Sequence, residues 1–151
     1  NWTRSFSNKY IVEIGMRNPE KVEIFGSGNF TCADTIKTEE FFFDSWNASG
    51  TYNFLFNSNK IHINNNIGRA DYHAKGKANV TFVYMNDVAT LDFSELKTEL
   101  FYIRSSTTGD CRINVDSELD VVLLYTGDIY YTGSLYKLTE NISGSGKLIQ
   151  Y

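Results

Sequence analysis

Apolar and polar residues alternate with a period of two along much of this chain. In 111–125, CRINVDSELDVVLLY, one parity holds Cys111, Ile113, Val115, Ser117, Leu119, Val121, Leu123 and Tyr125. The other parity holds Arg112, Asn114, Asp116, Glu118 and Asp120. Such alternation predicts a strand with one wet face. The same rule over 72–85 turns Tyr72, Ala74, Gly76, Ala78, Val80, Phe82 and Tyr84 inward, and His73, Lys75, Lys77, Asn79 and Thr81 outward. Over 46–56 it turns Trp46, Ala48, Gly50, Tyr52, Phe54 and Phe56 inward. Further strands are expected at 9–16, 21–32, 60–64, 98–104, 128–138 and 146–151. RNPE, NSNK, STTGD and YTGD mark turns between them. The stretch 86–97 is the one helix candidate, but Ala89, Leu91 and Phe93 alternate, which favours a strand there too.

Several alternating runs exceed the usual strand of about five or six residues, so the strands are expected to coil strongly. No internal repeat stands out. The expected fold is all-β and antiparallel, with long coiled strands closed as a barrel or folded over as a sheet. Closure removes exposed edges. The domain is expected to span 1–151 as a single unit, and 151 residues suffice to bury a core.

Composition supports this picture. Aromatic residues reach 15% and there is a single proline, a balance that favours strands. Apolar content is 42% and charged content 21%, which argues against disorder. No apolar run is long enough to span a membrane as a helix. A net charge of −4 argues against nucleic acid as a partner.

Five N-x-S/T sequons begin at Asn1, Asn29, Asn47, Asn79 and Asn141, where glycans are expected. With Cys32 and Cys111 read as a disulfide, they indicate a secreted, extracellular glycoprotein. Two buried free thiols are the alternative for the cysteines. No charged-then-apolar leader opens the chain, so a signal peptide is expected to have been removed already.

Catalytic chemistry is sparse. His62 and His73 are the two imidazoles, and both fall on predicted outer faces. No metal site, cofactor or enzyme activity is expected: G-x-S-x-G and H-E-x-x-H are both missing. SGSGKL at 143–148 lacks the first glycine and the Ser/Thr of a phosphate loop. Asn114, Asp116, Glu118 and Asp120 read as a solvated stripe, because a straight strand spreads them about 7 Å apart.

The inward parity carries small residues at mid-strand, namely Ala48, Gly50, Ala74, Gly76, Ala78 and Gly133, flanked by rings. Glycine in a strand marks a bend or a close approach, and here it leaves room at the waist of the sheet. The first functional expectation is therefore a carrier of a small apolar ligand, such as a fatty acid, lipid or terpenoid. Trp46, Tyr52, Phe54, Gly76, Val80, Phe82, Leu119, Val121 and Leu123 would line its interior. The alternative is a filled core and a surface that binds another protein, as an inhibitor or immune modulator. Self-association over the uncovered sheet is a further outcome.

Residues 22–85, from VEIFGSGNFTC to NVTFVYM, resemble the first half of a takeout or juvenile-hormone-binding domain. The likeness rests on the turn at Gly26, the G-x-Y of Gly50 to Tyr52, the step from Gly68 to Tyr72 and the long alternating run at 76–85. It implies a coiled sheet that holds a lipid. The long helix of that family has no counterpart here, so the resemblance implies a reduced, all-β relative.

Overall fold

The computed structural model describes residues 10–151. The sequon at Asn1 and the start of the strand expected at 9–16 lie outside them. The rest of that stretch, Tyr10 to Met16, is exposed and irregular instead of forming a strand.

The strands are β1 (Lys21–Ser27), β2 (Phe30–Thr31), β3 (Glu40–Asp87), β4 (Thr90–Thr107), β5 (Cys111–Leu123), β6 (Ile129–Thr132), β7 (Lys137–Ile142) and β8 (Leu148–Gln150). Every pairing between them is parallel. The register advances about 20 residues per step, as in Val80↔Leu100 and Leu91↔Cys111. The chain is thus a parallel β-solenoid. Each coil lies on the one before it, and the core runs along the axis. The antiparallel barrel or folded sheet is corrected: β3 alone runs 48 residues, winding through successive coils instead of reversing.

Alternation survives within each straight run and breaks at the corners. Ser45 faces in, Trp46 and Asn47 both face out, and Ala48 faces in again. Asn47 has φ +51, a left-handed conformation that lets the phase reset. The same reset after Ala78 exposes Asn79, leaves Val80 half-buried, and turns Thr81 fully inward. Phase carried across a corner is why the expected orientation of Val80, Thr81 and Phe82 inverts.

Residues one coil apart therefore form columns. One core column reads Val22, Phe43, Ile63, Val83, Ile103, Val121 and Glu140. The ring-rich stretch 41–56 builds the core near the first coils. Phe43 packs edge-on to Phe54 at 4.9 Å and Tyr52 edge-on to Tyr72 at 5.2 Å. Tyr72 and Asn65 find partners there, whereas the buried Tyr52 hydroxyl has none among the described residues. The Tyr72 hydroxyl donates to Asn65 Oδ1 at 3.0 Å, and Asn65 Nδ2 donates to the Asn86 carbonyl at 2.6 Å.

The small residues stand where coils approach most closely. A Cβ on Gly76 would run into the Phe56 carbonyl, and one on Gly133 into that of Val115. Gly109, Gly127 and Gly146 stack at one corner, each under the carbonyl of the coil before it. The roomy waist expected for a ligand is thus occupied by backbone.

Cys32 and Cys111 are free thiols, which corrects the expected disulfide. Stepping from the coil of Phe30 through Tyr52, Tyr72 and Leu91 reaches Cys111 four coils away, roughly 19 Å at ~4.8 Å per step. A disulfide spans Cα separations below about 7 Å. Burial raises both thiols, Cys111 to about 12.

Candidate functional site

One side of the solenoid is built by the runs 41–45, 61–65, 81–85, 101–105, 119–123 and 138–142. Its inward residues form the core, and its outward residues form columns open to solvent. The central outward column reads Phe42, His62, Phe82, Tyr102, Asp120 and Thr139. In-register parallel strands put like positions ~4.8 Å apart, the spacing at which flat rings stack. Phe42 and His62 lie 4.3 Å apart and 12° from parallel, His62 and Phe82 4.7 Å and 10°, Phe82 and Tyr102 5.0 Å and 12°. All four rings are half-buried. His62 is anchored further by Glu40, with Nε2 2.9 Å from a carboxylate oxygen.

The ring ladder ends at Tyr102. The next position in its column is Asp120, a much smaller side chain. A shallow groove of about 290 Å³ runs between this column and the next and reaches this step, with Phe82, Tyr102 and Asp120 on one flank and Asn64, Tyr84, Arg104 and Val122 on the other. Elsewhere on this side charges are spent locally. Lys21 pairs with Glu23 and Asp44 at 2.9 and 3.2 Å, and Lys137 with Glu118 at 3.1 Å. Asn64 donates to Asp44 at 2.7 Å. Arg104 and Asp120 make no ion pair or side-chain hydrogen bond among the described residues.

A second cleft, about 260 Å³, lies on another side between Thr51, Asn53, His73, Lys75, Asp92 and Glu95. Partial burial pushes the Asp92 carboxyl up, but hydrogen bonds from the Ser94 hydroxyl and N–H bring it below its ordinary value. Those bonds spend one Asp92 oxygen, and Lys75 pairs with Glu95 at 2.8 Å. No group of His, Cys, Asp or Glu among the described residues is arranged to hold a metal ion.

The residues expected to line an interior ligand scatter. Tyr52, Phe54, Leu119, Val121 and Leu123 are fully buried among other core side chains. Gly76 sits on a corner, and Val80 and Phe82 face outward and are half-buried. Trp46 is 40% exposed at a corner beside Phe25. The interior is packed, so the lipid-carrier expectation is corrected. Asn29, Asn47, Asn79 and Asn141 are exposed, but Thr81 of the third of these sequons is buried against Thr98, with hydroxyls 3.1 Å apart. Tyr102, Arg104 and His62, which stand on this outward surface, are not among the residues that the sequence singled out for a ligand site. The 20-residue spacing of Phe42, His62, Phe82 and Tyr102 was the available signal.

Comparison with known proteins agrees with this geometry. Residues 1–134 match the family DUF2807, described as "Putative auto-transporter adhesin, head GIN domain". A crystal structure of a putative adhesin from Bacteroides fragilis superposes with a TM-score of 0.83 at 18% sequence identity, over 87% of this chain. This chain spans 60% of the length of that one, and the likeness is one of fold. No curated protein matches the chain in sequence. The resemblance to takeout and juvenile-hormone-binding proteins is overturned by the family match and by the parallel solenoid, a different architecture from a coiled sheet around a helix.

Proposed function

Since the chain belongs to the putative auto-transporter adhesin, head GIN domain family, we propose that it is a non-enzymatic adhesion module. It is held outside the cell and engages a partner protein on an opposing surface through the side that carries the ring ladder.

The observation that carries this reading is the ladder itself. The outer face of a sheet in a domain that stands alone is ordinarily polar. Here four rings, with Tyr84, Val80, Leu100 and Val122 beside them, stay half-open to solvent. Tyr, Phe and Arg are the residues enriched at the centre of protein interfaces. The rings are already stacked and the strands already paired, so contact with a partner would freeze few rotamers.

Secretion and display at a surface fit the family description. Among the described residues no helix is long and apolar enough to cross a membrane.

The test is adhesion by the isolated domain. Beads coated with it are flowed over host-cell layers and extracellular-matrix proteins, beside beads coated with an unrelated β-protein of similar charge. Higher retention of the domain, lost when the opposing surface is treated with protease, is the expected result. Equal retention of the two bead types contradicts the reading.

A further inference from the structure

We propose that the step where the ring ladder ends, between Tyr102 and Asp120, is a subsite for a neutral sugar, the feature of the partner that this surface recognises. The inference rests on the adhesion reading for its biological setting, but binding of free sugar at the step is measurable without it.

Three observations place the subsite. The first is an open ring face. Tyr102 is stacked on Phe82 at 5.0 Å on one side, and the next rung on its other side is Asp120. His62 and Phe82 have a ring on both faces, and Phe42, at the far end, has His62 on one face and Lys21 as the next rung on the other. A ring face beside a drop in side-chain height is the shape that receives the apolar C–H face of a pyranose, through dispersion and C–H···π contact.

The second is unspent hydrogen-bonding capacity of both kinds. Arg104 offers up to five N–H donors and Asp120 two acceptor oxygens, both lining the same cleft and neither paired among the described residues. A sugar hydroxyl donates and accepts together, so a site with one free donor group and one free acceptor group suits a polyol.

The third is charge balance. Arg104 and Asp120 are the two charged side chains lining the cleft, and they are of opposite sign. A phosphate or a sialic-acid carboxylate would meet Asp120, and a cationic peptide side chain would meet Arg104. A neutral ligand meets neither penalty. The cleft is shallow, with a volume of about 290 Å³, and can take one small ligand with one face left in solvent. Weak binding is expected at each site, strengthened by display of many copies.

The experiment is amide NMR titration of the whole chain with methyl glycosides of glucose, mannose, galactose and N-acetylglucosamine, in the wild type and in Tyr102→Phe, Tyr102→Ala, Asp120→Asn and Tyr130→Ala. At least one sugar is expected to shift the amides of Tyr102, Arg104 and Asp120. Tyr102→Phe keeps the ring face and should keep the affinity. Tyr102→Ala should lose roughly tenfold. Asp120→Asn should weaken binding, and Tyr130→Ala, on another side, should leave it unchanged. No shift at these amides with any of the sugars overturns the inference, as does equal binding by Tyr102→Ala and wild type. Beads that adhere by protease-sensitive but glycosidase-insensitive contacts would remove the sugar subsite while leaving the adhesion reading intact.

Discussion

Glu140 stands directly on Val121, in the last of the described coils, in a column whose earlier rungs are Val22, Phe43, Ile63, Val83 and Ile103. Its neighbours in the same strand, Leu138 and Ile142, keep the apolar pattern and are 43% and 40% exposed. Among the described residues no strand stacks beyond β7, and such an edge is one that another chain can extend. A carboxylate in a core column opposes that extension, because stacking a further coil on it would bury an unpaired charge.

Replacing this charge should therefore release self-association. Glu140→Val should shift the chain toward dimers and larger species in sedimentation velocity at tens of micromolar protein, and Glu140→Lys should not. An unchanged distribution for Glu140→Val would show that the edge is blunted by something else.

The glycine corner should tolerate no side chain. A Cβ on Gly127 would collide with the Gly109 carbonyl, and backbone cannot swing aside as a side-chain tip can. Gly127→Ala is expected to cost about 1–3 kcal/mol by urea unfolding. Gly15→Ala, with nothing near its Cβ, is expected to change stability by less than about 0.5 kcal/mol. Equal effects at the two positions would contradict the close-approach account.

Tyr52 carries the reverse expectation. Its hydroxyl is buried and lacks a partner among the described residues, at a cost of order 1–3 kcal/mol. Tyr52→Phe should hold or raise the melting temperature. A clear fall would reveal a partner for the hydroxyl.

The thiols should make stability fall in alkali. Burial holds the Cys111 proton until about pH 12, whereas an exposed thiol in the unfolded chain ionises near 9.0. Above 9.0 the unfolded chain releases a proton that the folded chain retains, so unfolding becomes more favourable as pH rises from 9.0 toward 12. Cys32, Tyr52 and Tyr72 are raised as well and act in the same direction. Cys111→Ala should flatten the decline between pH 9 and 11. Reducing agent should leave the melting temperature unchanged, since no disulfide is present.

How far the sequence carried can be judged from particular residues. Alternation correctly turned Cys111, Ile113, Val115, Leu119, Val121 and Leu123 inward, because parity holds within a straight run. It could not distinguish an antiparallel sheet from parallel coils, since both bury every second residue. The distinguishing signal was the 20-residue step, and it was faint. Phe42, His62, Phe82 and Tyr102 fill one column with three residue types, and their half-burial hides them from a search for repeated core residues. Glycine was read as space when it marked contact. Gly76 is small because the Phe56 carbonyl is there. The alternative of a filled core and a protein-binding surface is the expectation that the packed interior and the adhesin family match favour. The ladder itself was not legible, because its neighbours lie a full coil apart in sequence.

The most direct test of the account is the retention of beads coated with Phe82→Ser/Tyr102→Ser protein, compared with wild type, on a surface to which the wild type adheres. Both positions are half-buried and outward, so the double variant should keep the far-ultraviolet signature of the solenoid. Retention is predicted to drop to that of the unrelated control protein. A folded variant that adheres as well as the wild type would contradict the central claim that this side of the solenoid is the adhesive surface.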